Sequence, residues 1–130
     1  MIVDTSAIIA ILKEEDDADV LSLAILDAPS AIEMSAASYL EAGIVIDKNR
    51  IPQFSIKLDA LINDFGIEIA PVTSEQAKIA RQAYRDFGKG SGHQAQLNFG
   101  DCFTYALAVD RNDGLLYKGN DFSHTGIRRS

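Results

Sequence analysis

Four acidic residues stand apart from the chain's other carboxylates, because each falls where a strand-like run ends or a helical pattern needs no charge. Asp4 ends the apolar run Met1 to Val3, and Glu41 sits inside the helical pattern that follows a second strand-like run. Asp101 opens the apolar stretch NFGDCFTYALAV, and Asp121 lies in the loop Gly119-Asn120-Asp121-Phe122. A carboxylate carried into an apolar surrounding costs on the order of several kcal/mol unless a cation or dense hydrogen bonding offsets it. Carboxylates gathered at one place repel one another and are pushed toward protonation unless a divalent cation neutralises them. Ligation by oxygen alone, without Cys or His, selects Mg²⁺ or Mn²⁺ over zinc. One or two such ions activate water and orient a scissile phosphate.

Simpler roles compete for the same residues. Asn98 and Asp101 have the spacing of a capping box, in which the acid accepts a backbone N–H and gains from the positive end of the helix dipole. Ser38-Tyr39-Leu40-Glu41 has that spacing too, but the apolar pattern already begins at Met34 to Ala37, which puts Glu41 in a second turn, beyond a cap. Cys102, the one cysteine, reads as a small buried residue. His93 belongs to the turn GKGSGH, which lacks both the preceding strand and the Lys-Ser/Thr ending of a phosphate loop, and reads as a surface or hinge residue. The acidic run from Glu14 to Asp19 reads as a solvated face.

The elements that must position the four acids alternate. Met1 to Val3 predicts a strand, followed by Thr5 and Ser6 as caps of a helix through Leu12. Val20 to Leu26 is a second helix, Ala31 to Met34 a second strand, and Ser35 to Ile46 a third helix. A further amphipathic helix begins near Pro52 and stops at Gly66. Ile67 to Val72 is strand three, Ser74 to Phe87 a helix, Asn98 to Val109 the central helix and Leu115 to Tyr117 strand four, with Ile127 as a short last strand. This alternation predicts an α/β fold with a short parallel sheet of four to five strands flanked by helices on both faces. In such a sheet the strand carboxyl ends share one edge, and ligands bind there where the strand order reverses, so acids far apart in sequence meet.

With 130 residues, 47% of them hydrophobic, one domain spanning residues 1–130 buries a core without staples. No apolar run is long enough to cross a membrane, and the amino terminus carries an acid where a signal peptide carries positive charge, which points to a cytoplasmic protein. The net charge of −7 argues against a general nucleic-acid binder, but the charge is uneven. Residues 1–77 hold four Lys/Arg against fourteen Asp/Glu, and residues 78–130 hold eight against five. Lys78, Arg81 and Arg85, spaced i, i+3, i+7, line one face of their helix, close in sequence to Lys89.

MIVDTSAIIAIL at the start, SYLEAGIVI in the middle, and HQAQLNFGDCFTYALA followed by LLYKGNDFSHTGI resemble, in the same order over nearly the whole chain, the PIN-domain ribonucleases, most closely the VapC toxins of toxin–antitoxin pairs. The resemblance implies a Mg²⁺- or Mn²⁺-dependent endoribonuclease that acts on RNA and is restrained by a cognate VapB-like antitoxin. It places the family's acids on Asp4, Glu41 and Asp101. Many relatives carry a further acid at the place Gly119 occupies here, which leaves Asp121 as the fourth candidate. Thr5, Ser6 and Thr104 match polar positions suited to contacts behind the metal ligands, and the RNA and antitoxin that the resemblance implies make Lys78, Arg81, Arg85 and Lys89 candidates to contact RNA phosphates or that inhibitor. A homodimer is expected as the commonest soluble assembly. Two other classes fit the same residues: a PIN-like interaction module that has lost its chemistry, and a receiver-like signalling domain. The second needs an acceptor aspartate after a middle strand, where this chain has Ala70-Pro71-Val72-Thr73.

Overall fold

Ile2 and Val3 form β1, a two-residue strand with no solvent exposure, and their side chains divide the protein into two layers. Successive strand residues point to opposite faces of a sheet. Val3 accordingly joins a core with Ile8, Ile25, Met34, Ile46 and Leu58. Ile2 joins a second core with Ala80, Leu97, Ala106, Leu107 and Phe122. The computed structural model, which describes residues 1–130, places α1 (Thr5–Leu12), α2 (Ala18–Leu26), α3 (Ala36–Asp47) and α4 (Pro52–Asp64) over the first face. The helices α5 (Ser74–Phe87) and α6 (Phe99–Arg111) cover the other.

The remaining strands are β2 (Glu33–Ser35), β3 (Glu68–Ala70) and β4 (Leu115–Leu116), and all pairings are parallel in the order β3-β2-β1-β4. The chain steps outward from β1 through β2 to β3, then returns to add β4 on the far side of β1. The order therefore reverses at β1, and the crevice between the ends of β1 and β4 is where the fold opens. The short strand expected at Ile127 does not form. A single parallel bridge joins Leu115 to Arg129 instead, because the last residues follow a run of turns.

Helix starts carry the local logic. Asp4, rather than Thr5 or Ser6, is the N-cap of α1; its backbone is extended and its carboxyl group accepts the Ser6 N–H at 3.0 Å. Ser35 caps α3, Thr73 caps α5 and Asn98 caps α6, each accepting a backbone N–H in the first turn. Pro52 opens α4, where its missing N–H costs nothing. The amino-terminal ends of α1 and α3 directly follow β1 and β2, so their positive dipole ends lie along the carboxyl edge of the sheet.

Candidate active site

Asp4 is 4% exposed, and three donors converge on it. Ser6 gives its backbone N–H and, at 2.6 Å, its hydroxyl to Oδ2, and Thr104 of α6 donates its hydroxyl to Oδ1 at 2.7 Å. Thr104 has only one hydroxyl proton, so the 2.8 Å contact between Thr104 and Ser38 runs from the Ser38 hydroxyl to Thr104 Oγ1. The Ser38 carbonyl in turn accepts the Thr5 hydroxyl at 2.9 Å. Through this chain of hydroxyls, α1, α3 and α6 are locked around one carboxyl group. Thr104→Val keeps the shape and removes the proton that Asp4 receives. It is expected to lower stability by about 1.5–3 kcal/mol, the range for a hydrogen bond to a charged group, read as a lower denaturation midpoint in urea at unchanged slope.

Asp101 is 8% exposed and makes both halves of a capping box: its N–H goes to Asn98 Oδ1 at 2.9 Å, and its Oδ2 accepts the Asn98 N–H at 3.0 Å. The capping role is therefore real, and it does not exhaust the residue. Burial pushes the Asp101 carboxyl pKa up to about 7; the Asn98 N–H pulls it down, and the charges of Asp4, Asp121 and Glu41 raise it further. The charges of the other three acids singled out in the sequence thus all reach Asp101. No cation is among the groups that set its titration.

Glu41 lies in the second turn of α3, past the Ser35 cap, so Ser38 is not its capping partner. Its carboxylate rests on the backbone of α6 at Gly100, where a methyl group would come within 2.7 Å of the Glu41 Cδ and 2.9 Å of its Oε1. Gly100 is thus the clearance that lets α3's acid reach the first turn of α6. Asp121 is exposed in the loop after β4 and reaches Asp101 only through its charge. That loop is tied to α1 by the Lys118 N–H, which donates to Ser6 Oγ at 3.0 Å. The Lys118 ammonium pairs with Glu15 and, at 3.2 Å, with Asp17. Two members of the acidic run between α1 and α2 therefore hold the β4 loop, and the run is not purely a solvated face.

Three contributors escape the sequence reading. Ser38 looks like a cap, although it shares the α3 face of Glu41 at i, i+3. Gly100 looks like ordinary helix entry, and nothing in the sequence links Lys118 to Glu15 and Asp17. Of the expected phosphate-contact residues, Lys78, Arg81, Arg85 and Lys89 are all exposed, but only Arg81 and Lys89 border a groove between α5 and α6. Cys102 is buried, and burial pushes its thiol pKa up to about 11, which leaves it an unreactive core residue. His93 is half-buried, packed edge-on against Phe87 at 4.9 Å, with Nδ1 accepting the Ala95 N–H.

The donor set suits a hard divalent cation: carboxylates only, drawn from the start of α1, from α3, from α6 and from the loop after β4, with three of the charges acting on Asp101 and no cation opposing them. No three of the acids are placed to grip an ion together. Mg²⁺ tolerates this, since it keeps several waters and is often held by one or two carboxylates. No helix is long and apolar enough to cross a membrane.

The PIN domain family model matches residues 1–127. Ribonuclease VapC28 of Mycobacterium tuberculosis is 58% identical over 130 residues, which cover all of this chain and 97% of the relative. Ribonuclease VapC42 of the same species is 47% identical over 128 residues, 98% of this chain and 97% of the relative. Among solved structures, the sarcin-ricin-loop-cleaving toxin VapC20 of Mycobacterium tuberculosis superposes with a TM-score of 0.76 at 14% identity, covering 99% of this chain and 97% of that one. VapBC2 of Rickettsia felis, bound to a promoter DNA fragment, gives a TM-score of 0.76 at 17% identity, covering 99% and 96%. With its isolated acids brought to the carboxyl edge of a parallel sheet, this chain belongs to the PIN-domain family and, within it, to the VapC ribonucleases.

Proposed function

We propose that the endoribonuclease activity of this VapC-family chain resides in the pocket of Asp4, Glu41 and Asp101, with Asp121 at its rim, and that it requires Mg²⁺ or Mn²⁺. The observation that carries this is the convergence of three carboxyl charges, those of Asp4, Asp121 and Glu41, on the buried Asp101 with no protein cation to balance them. A bound divalent ion supplies that balance, together with Lewis acidity toward the scissile phosphate and activation of the attacking water. Asp4, Asp101 and Glu41 are the residues that would hold it, one or two of them directly and the rest through waters that the ion keeps. Ser6 and Thr104 donate to Asp4, and Ser38 donates to Thr104, which together hold the Asp4 carboxyl group in one orientation.

Cleavage of a mixed RNA pool, with Mg²⁺ or Mn²⁺ and with chelator, tests the assignment. Loss in chelator and recovery on adding the ion are expected; cleavage indifferent to chelator overturns it. In the same assay Asp121→Asn is expected to raise the ion concentration needed while leaving cleavage measurable, because its exposed loop can shift and its charge acts from the rim. Asp4→Asn is expected to abolish cleavage. Equal loss in both variants would make Asp121 a full ligand.

A VapB-like antitoxin is the proposed partner, supported by the fold shared with VapBC2. Apolar side chains left in water on α2, α3 and α4, such as Val20, Leu26, Leu40, Ile44 and Ile56, offer area for it or for a second copy of the chain. The extended acid network argues against a silent interaction module, which has no use for mutually repelling buried carboxylates. Cytoplasmic residence is part of the same proposal, supported by the acid at Asp4 where a signal peptide carries positive charge.

A further inference from the structure

Phe99 is 78% exposed at the first position of α6, and nothing in the fold requires an aromatic ring there. It stands edge-on to Phe103, ring centres 4.9 Å apart at 85°. Together with Tyr84, itself 46% exposed, these rings line a groove of about 620 Å³ between α5 and α6, floored by Ala80 and bordered by Arg81 and Lys89. The volume falls in the usual range of ligand pockets, roughly 300–1,000 Å³. The Tyr84 hydroxyl donates to the Lys89 carbonyl at 3.1 Å, which fixes the ring and the lip of the groove before anything binds. In a chain of net charge −7, the residues lining this groove include two cations and no acid.

Aromatic faces between cations suit one kind of occupant: an unpaired nucleobase with its flanking phosphates. An apolar peptide would fill the rings but leave Arg81 and Lys89 unused. The groove also adjoins the carboxylate pocket. Phe99 and Asp101 are two positions apart, so about 200° apart around the helix, and the first turn of α6 separates groove from pocket.

We propose that the α5–α6 groove is a stacking subsite for a single unpaired base of the RNA, received by Phe99, Phe103 and Tyr84 while Arg81 and Lys89 hold the neighbouring phosphates. The proposal rests on the ribonuclease reading above and adds to it a determinant of which RNA is cut. It gives the enzyme a preference for single-stranded substrate, because a paired base cannot enter.

The test uses short single-stranded RNAs carrying 2-aminopurine at successive positions, bound to the full chain in Ca²⁺ to suppress cleavage. Fluorescence quenching is expected at one position, lost in Phe99→Ala and restored in Phe99→Tyr. In Mg²⁺, an abasic nucleotide at that position is expected to slow cleavage by roughly 5- to 150-fold, the range for one stacked base, and Phe99→Ala is expected to bring that ratio toward one. Arg81→Gln should flatten the salt dependence of binding by about 0.7 in logarithmic slope. No quenching at any position, or quenching that Phe99→Ala leaves intact, overturns the subsite; if the mixed pool is still cut in the presence of metal, the nuclease assignment stands without it. Quenching that depends on Phe99 in a protein that cuts no RNA upholds the subsite and removes the nuclease assignment. If Phe99→Ala weakens only the hold on a co-purifying protein and RNA quenching persists, the groove belongs to that partner's segment and the proposal falls.

Discussion

Asp101→Asn is expected to abolish cleavage while leaving the metal-free protein as stable as the parent or more so. The asparagine carbonyl still accepts the Asn98 N–H, so the capping box survives. What disappears is the charge that Asp4, Glu41 and Asp121 oppose. The loss of activity should exceed the roughly 10- to 100-fold typical of losing an outer partner of a metal site. Asp101→Ala separates the two roles of the residue, since it loses the cap as well and should cost about 1 kcal/mol. The pH dependence follows the same charge. In the folded, metal-free protein Asp101 keeps its proton until about pH 7, whereas in the unfolded chain it releases it near 3.8. Between those values the folded state holds the extra proton, so stability falls as pH rises through the window and levels off above 7. Melting curves in chelator from pH 5 to pH 8 should show that decline in the parent and a smaller one in Asp101→Asn. Added Mg²⁺ should raise the parent's melting temperature most at the upper end, where the carboxylate is free to bind it. An Asn variant that is destabilised yet active would leave Asp101 with its capping role alone.

The sheet and helices were legible because their signals are local. Two-residue apolar runs, cap residues and the glycine stop at Gly66 mark where each element begins and ends, and the alternation of strand with helix predicts parallel pairing. The acids were legible because isolated charge inside an apolar pattern is rare. What was not legible depends on residues distant in the chain coming to face one another. Asp4 caps α1 only because its carboxyl group turns back to Ser6 while also reaching Thr104, a hundred positions away. Ser38 is indistinguishable from a cap until α6 lies against α3. The basic face of α5 shows the same limit: spacing aligns Lys78, Arg81 and Arg85, but the packing of α6 decides that Arg81 borders a groove and the other two do not.

Gly100→Ala should separate folding from chemistry more sharply than any change to a carboxylate. Alanine is the better helix former by up to about 1 kcal/mol, and Gly100 sits in the first turn of α6, so the backbone has no objection. The new methyl group instead collides with the Glu41 carboxyl group. That group is the far end of a flexible side chain, and it swings aside at little cost to stability. Once displaced it can no longer take part in the pocket, so cleavage is expected to fall by roughly 10- to 100-fold, the scale of losing a supporting group at a metal site, while the melting temperature stays within a few degrees of the parent. A double-mutant cycle with Glu41→Ala decides whether the effect runs through that contact. If it does, the two substitutions are strongly non-additive, and the double variant is no less active than Glu41→Ala alone. Additive losses would mean that Gly100 serves the site by some route other than making room for Glu41.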